Sequence, residues 1–122
     1  MIVVLVMVAG ALGAGTRFIL DGAIKQWRPT TFPWATLLIN ISGSLLLGLI
    51  AGSVMFATLE PDVQTVVGTG FCGGYTTFST ASFETVRLLE QRRSMAAVLN
   101  VLVSVLGSAA ACGLGLYLAW VV

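Results

Sequence analysis

The chain has 122 residues, a net charge of +1 and no histidine; 57% of its residues are hydrophobic and 9% are charged. A soluble domain carries about 25% charged residues, and one this small, with a mean hydropathy of +1.00, would present a large apolar surface to water. The composition therefore excludes a water-soluble domain, a basic nucleic-acid-binding surface and any histidine-based metal or acid–base centre.

Spanning a hydrocarbon core of about 30 Å takes about 20 helical residues, and four stretches approach or exceed that length. The first runs from Met1 to about Leu20. It has no basic n-region, so it reads as a spanning helix and not as a cleavable leader. A connection from Asp21 to Phe32 follows. The second stretch, Pro33 to Leu59, has Pro33 suited to its first turn and Thr31 as a helix cap. Asn40 lies about eight residues into it, about 12 Å deep at a rise of 1.5 Å per residue. Thr36, Asn40 and Ser44 recur every four residues and share one face. Gly43, Gly48 and Gly52 line a neighbouring strip where another helix can pack closely.

Beyond a turn at Glu60 and Asp62, the third stretch, Val63 to Leu89, carries Gly68, Gly70, Gly73 and Gly74 and then hydroxyls at Thr76, Thr77, Ser79, Thr80 and Ser82. Glycines loosen a helix and hydroxyls compete with its backbone ladder, so a break is predicted near 73–80. Broken backbone inside a membrane is tolerated only where protein buries it or where it lines a cavity. Such breaks often hold ions; the competing reading is a glycine-rich packing surface. After a turn from Glu90 to Arg93, the fourth stretch, Ser94 to Val122, places Asn100, Ser104, Ser108 and Cys112 at i,i+4 spacing. Two stripes of amide and hydroxyl groups read either as polar glue between helices or as a shared polar lane.

All six basic side chains lie toward one face: Arg17, Lys25, Arg28, Arg87, Arg92 and Arg93. By the positive-inside rule, the first and third connections are cytoplasmic and both termini are outside. Glu84 and Arg87, three apart, are spaced to pair, and the head of Arg17 can reach a vestibule. Cys72 and Cys112 match no metal-ligand spacing and read as small buried residues. No nucleophile–base pair suggests an enzyme. Four short helices with two polar stripes do not enclose a private pore, which points to a dimer.

These motifs resemble the small bacterial fluoride channel family (CrcB, or Fluc) over the whole chain. The resemblance is carried by Gly10, Gly13, Ala14, Arg17 and Phe18, by Asn40-Ile41-Ser42-Gly43-Ser44, and by Gly73-Gly74-Tyr75-Thr76-Thr77-Phe78-Ser79-Thr80. It implies an all-α, four-transmembrane-helix protein with a broken third helix, assembled as a dual-topology antiparallel dimer in the bacterial plasma membrane. It also implies passive, selective fluoride export through pores at the subunit interface. Asn40 then matches the pore asparagine and Phe78 the first pore phenylalanine, with Ser79 and Thr80 beside it in the pathway. Asn100, Ser104 and Ser108 match the polar track of the fourth helix, and Arg17 the aqueous entrance. Gly73 and Thr76 match residues whose backbone carbonyls hold a structural sodium ion shared by both subunits.

Two departures from the family pattern stand out. Ala81 occupies the place of the second pore phenylalanine, and Phe83, two positions on, points elsewhere on a helix. The basic loops also favour one orientation, whereas a dual-topology homodimer needs balanced loops. Both a heterodimer with a homologous subunit of opposite charge bias and a homodimer that tolerates Ala81 fit. The alternatives in function are a small multidrug-type proton-coupled antiporter, which would want a central carboxylate that Asp21, Glu60, Asp62, Glu84 and Glu90 are poorly placed to supply, and a non-conducting partner subunit.

Overall fold

The first apolar run forms α1, which spans Ile2–Trp27 in the computed structural model; the structure describes residues 1–122. The helix therefore outruns the predicted end at Leu20. Asp21 and Lys25, which read as loop residues in the sequence, instead form an ion pair of 2.8 Å along the helix. Acidic-then-basic spacing of four is the favourable order on a helix face, so the charges extend α1 toward its end.

The second helix, α2, covers Trp34–Phe56. Pro33 is its N-cap residue and not part of the first turn, and no side chain caps the helix. Thr31 is engaged elsewhere: its hydroxyl accepts a hydrogen bond from the Arg93 guanidinium. The helix stops three residues before Leu59 because Ala57 is already extended.

Beyond residue 60 the chain is helical again through three contiguous pieces. These are α3 (Pro61–Val63), a π-helical stretch (Gln64–Cys72) and α4 (Gly73–Tyr75). Thr76 and Thr77 then leave the helical region, with φ/ψ of −84°/160° and −149°/121°. Helix resumes as α5 (Phe78–Glu90) and, after a short turn, α6 (Ser94–Val121). Arg92 sits in the left-handed region of that turn with φ 58°. Bonds from Arg93 N to Leu88 O and from Arg92 N to Leu89 O close α5 in a Schellman arrangement.

The fold is all-helical with no strands, and α1, α2 and α6 are each long and apolar enough to cross a membrane. Only 17 of 122 residues are buried, and valines, leucines and phenylalanines cover the outer faces. That outward apolar surface is what a membrane protein offers to lipid or to another subunit. α2 is the central helix: 33% of its most apolar window is buried, against 11% in α1 and 17% in α6.

Lipid tails are as apolar as leucine, so helices in a membrane associate through close van der Waals packing, which small residues allow. α2 lies along α6 in this way. A Cβ added to Gly48 would stand 2.9 Å from the Cys112 carbonyl carbon, and one on Gly115 would stand 2.6 Å from Leu49 N. α1 lies along residues 61–75 by the same device. A Cβ on Gly13 would meet Tyr75 N at 2.9 Å, and one on Gly74 would meet the Gly10 carbonyl carbon at 2.9 Å. Glycines 70, 73 and 74 all stand before the break, within helical backbone. Gly70 and Gly74 act there as packing positions; the chain leaves the helix only at Thr76.

This packing predicts that Gly48→Val separates α2 from α6 and costs about 1–3 kcal/mol. Gly22→Ala, where a Cβ meets nothing within 4 Å, should stabilise α1 by about 0.5–1 kcal/mol. Thermal unfolding of the detergent-solubilised protein distinguishes the two; equal effects would contradict the packing account.

Candidate functional site

Where the helix stops at Tyr75, peptide groups lose their ladder partners. In an unbroken helix the N–H of Thr77 would bond to the carbonyl of Gly73. Here it donates to Asn40 Oδ1 at 2.8 Å, while Asn40 Nδ2 donates to the Thr77 carbonyl at 2.9 Å. The side-chain amide thus pairs with both polar groups of one extended residue, as a neighbouring strand would. The backbone chemistry fixes which way the amide faces, because Thr77 N can only donate and Thr77 O only accept.

Thr77 also starts the next helix. Its Oγ1 accepts from Thr80 N at 3.1 Å, an N-cap bond, and lies 3.2 Å from Thr80 Oγ1. On the other side of the break, the Cys72 carbonyl receives both Thr76 N at 2.9 Å and Thr76 Oγ1 at 2.8 Å. Below it, Tyr75 stacks on Phe71 with ring centroids 5.7 Å apart, and its hydroxyl lies 2.9 Å from Ser42 Oγ.

Beside this break lies an open groove of about 800 Å³ between α2, the π-helical stretch, α5 and α6. Asn40, Ser44, Thr69, Thr76, Thr77, Ser82, Thr85, Ser104 and Ser108 are its polar lining. Several hydroxyls bond back to their own helix: Thr16 to Leu12 O, Ser53 to Leu49 O and Thr65 to Pro61 O away from the groove, and Thr76 to Cys72 O and Thr85 to Ala81 O within it. Ser44, Thr69, Ser82, Ser104 and Ser108 do not; they make no hydrogen bond within the chain, and none is buried without a partner. Five hydroxyls therefore face the groove with their donors uncommitted. Asn40 adds one more N–H, since only one of its two amide hydrogens is engaged by Thr77.

Of the residues singled out in the sequence, the groove brings together Asn40, Phe78, Ser104 and Ser108, with Gly73 and Thr76 on its wall. Phe78 is 88% exposed, so no part of this chain covers its ring. Ala81 lines the groove and Phe83 does not. Ser79 and Thr80 lie off the groove: Ser79 is exposed on another face of α5, and Thr80 belongs to the cap with Thr77. Asn100 is buried and donates from Nδ2 to Thr85 Oγ1 at 2.8 Å. It ties α6 to α5 and reaches the groove only through Thr85. Arg17 is half-buried and lines neither this groove nor the cleft described below.

Glu84 and Arg87 do not pair. Glu84 Oε1 accepts from Thr36 Oγ1 at 2.8 Å, and its Oε2 is buried without a partner. Thr36 is itself buried, so the carboxylate turns inward toward α2 and away from the arginine one turn on. Both cysteines are free, Cys72 buried and Cys112 half-buried. Sequence reasoning missed Thr69 and Thr85. For Thr85 a signal was present: Phe78, Ala81, Ser82 and Thr85 follow i, i+3, i+4, i+7 spacing, the period of one helix face.

Taken together, these features describe a small multi-helix membrane protein with a polar groove beside interrupted backbone. Residues 4–116 match the family described as CrcB-like protein, Camphor Resistance (CrcB). The chain belongs to this family. Similar proteins include the "Fluoride-specific ion channel FluC 1" of Leifsonia xyli subsp. xyli, 45% identical over 97% of this chain and 86% of that protein. The "Fluoride-specific ion channel FluC" of Syntrophotalea carbinolica is 44% identical over 95% of each chain. The "Fluoride-specific ion channel FluC 2" of Rhodococcus jostii is 44% identical over 94% of this chain and 96% of that protein.

The Asn40–Thr77 pair yields a stability order. Asn40→Ala strands a peptide N–H and a carbonyl and should cost about 1–3 kcal/mol for each group left unsatisfied. Thr77→Val removes only the cap acceptor and should cost about 1 kcal/mol. Unfolding midpoints should therefore fall in the order wild type, Thr77→Val, Asn40→Ala, and a reversed order would contradict the assigned roles.

Proposed function

We propose that this chain is a subunit of a fluoride channel that lets the anion leave the cell passively, without enzymatic chemistry. The observation that carries the reading is the row of uncommitted hydroxyl donors at Ser44, Thr69, Ser82, Ser104 and Ser108 beside the free N–H of Asn40. Fluoride is small and strongly hydrated, so shedding its water requires close neutral donors along the path. Hydroxyls and an amide donate without holding the ion as a fixed full charge would. Phe78 adds an electropositive ring edge in an otherwise apolar wall. The names of relatives at 44–45% identity over nearly the whole chain support the same assignment.

The groove is open on one side and Phe78 is uncovered, so we assign its closure to a second subunit in an antiparallel dimer. Residues 61–90 then form a fourth crossing of the plasma membrane, broken at Thr76 and Thr77. Ser79 and Thr80 join the pathway where the partner meets α5, Asn100 supports it through Thr85, and Arg17 stands at its aqueous mouth. The Gly73 carbonyl, released because Thr77 N bonds to Asn40, and the carbonyl of extended Thr76 are neutral oxygen donors of the kind a hard monovalent cation takes. With the same pair from the partner they would hold a sodium ion, whose charge offsets the inward-facing carbonyls.

Ala81 on the groove wall and the one-sided basic residues favour a heterodimer whose partner supplies the missing aromatic ring. The antiporter alternative loses support because no carboxylate lines the groove, and Glu84, the half-buried carboxylate of α5, is bonded to Thr36.

Proteoliposomes test the function directly. Fluoride should leave rapidly without a proton gradient and chloride should not, with the chain reconstituted alone and with a co-expressed homologue. Asn40→Asp should suppress the flux, since it opposes a carboxylate to the Thr77 carbonyl and to the anion; normal flux would remove Asn40 from the pathway. A reporter fused at Val122 and expressed without a partner should report an external C-terminus. Equal populations on both sides would contradict the fixed orientation.

A further inference from the structure

The end of the bundle opposite Glu60 and Asp62 holds a second concavity, a cleft of about 290 Å³ between α1, the 28–33 connection and α5. Lys25, Arg28 and Arg87 line it from three different elements. Lys25 is paired with Asp21, but Arg28 and Arg87 form no ion pair, so two guanidinium groups stand ready for an external anion. Glu84 lines the floor of the same cleft, with Oε1 held by Thr36 and Oε2 buried. That carboxylate opposes an anion at the floor and leaves the outer rim, where the arginines lie exposed, as the place an anion can sit.

The rim is also at interfacial depth. Phe32 and Trp34 line the cleft as a tilted pair 5.0 Å apart, and Trp27 is 79% exposed at the end of α1. Aromatic rings of this kind mark the headgroup level of a bilayer. The other end, around residues 57–60, carries no basic residue at all. Basic pockets between helix ends on one side of a membrane suit anionic lipid headgroups. A planar guanidinium matches phosphate oxygens two at a time.

We propose that this cleft binds the phosphodiester headgroup of an anionic phospholipid through Arg28 and Arg87. The interaction anchors the basic end of the subunit at one leaflet, independently of the groove beside Asn40.

Native mass spectrometry of the full assembly in detergent, with equimolar phosphatidylglycerol and phosphatidylcholine added, tests the proposal. The wild type should retain phosphatidylglycerol preferentially. Arg28→Gln and Arg87→Gln should each lower that preference about fivefold, the weight of one basic residue at a membrane surface. Arg92→Gln, outside the cleft, should leave it unchanged. Equal retention of the two lipids by the wild type, which needs no variant to fold, would overturn the proposal. So would an undiminished preference in both cleft variants. Displacement of phosphatidylglycerol by millimolar inorganic phosphate would assign the cleft to a free anion and overturn the lipid assignment.

Discussion

The structure turns on one amide. A chain that leaves its helix among apolar side chains strands peptide groups, and an unpaired buried peptide group costs several kcal/mol in surroundings that offer no water. Asn40 meets that cost at Thr77 by bonding to both its N–H and its carbonyl. The consequence reaches further than stability. Because Thr77 N is directed to Asn40, the Gly73 carbonyl is released from the ladder, and because Thr77 is extended, its hydroxyl is available to cap α5. One side chain on α2 thus sets where α4 ends, how α5 begins, and which backbone oxygens are left for other uses.

The amide can do this only if α2 is held firmly against both halves of the interrupted segment, and small residues hold it there. Gly43 brings α2 up against Tyr75 and Thr76, while Gly48 and Gly52 seat it on α6. Gly10 and Gly13 clamp α1 to the stretch just before the break. The π-helical turn over Gln64–Cys72 lies within this clamp. Thr69, Cys72, Gly73 and Thr76 face the groove, while Gly70 and Gly74 face α1. Tight packing on one side and uncommitted hydroxyls on the other come from the same few turns of chain.

Much of this was legible in the sequence. Hydropathy alone defines three long helices, the four-residue recurrence of Thr36, Asn40 and Ser44 marks the polar face of α2, and the glycine strip on α2 is a packing strip as its spacing implies. What misled was local chemistry whose partner lies far along the chain. Asp21 and Lys25 look like loop residues until they are seen to satisfy each other on a helix. Glu84 and Arg87 have the spacing of a pair, but Thr36, 48 residues away, takes the carboxylate. Within the 73–80 stretch where a break is expected, the backbone holds helix through Gly73 and Gly74 and leaves it at Thr76. Residue spacing cannot reveal this, because the break is sited by a tertiary bond from Asn40. The hydroxyls of Ser79 and Thr80 drew attention by clustering, while the face defined by Phe78, Ser82 and Thr85 follows helical period and is the one that meets the groove.

The role of Asn40 depends on whether Thr77 is held as a paired peptide although it lies in no helix. Amide hydrogen exchange at that residue measures this directly, since a bonded amide exchanges only when its bond opens. In the wild type the Thr77 amide should be protected to the same degree as amides within α5, and Asn40→Ala should abolish that protection while leaving the middle of α2 protected. A Thr77 amide that exchanges in the wild type as fast as those of the solvent-exposed 28–33 connection would contradict the account.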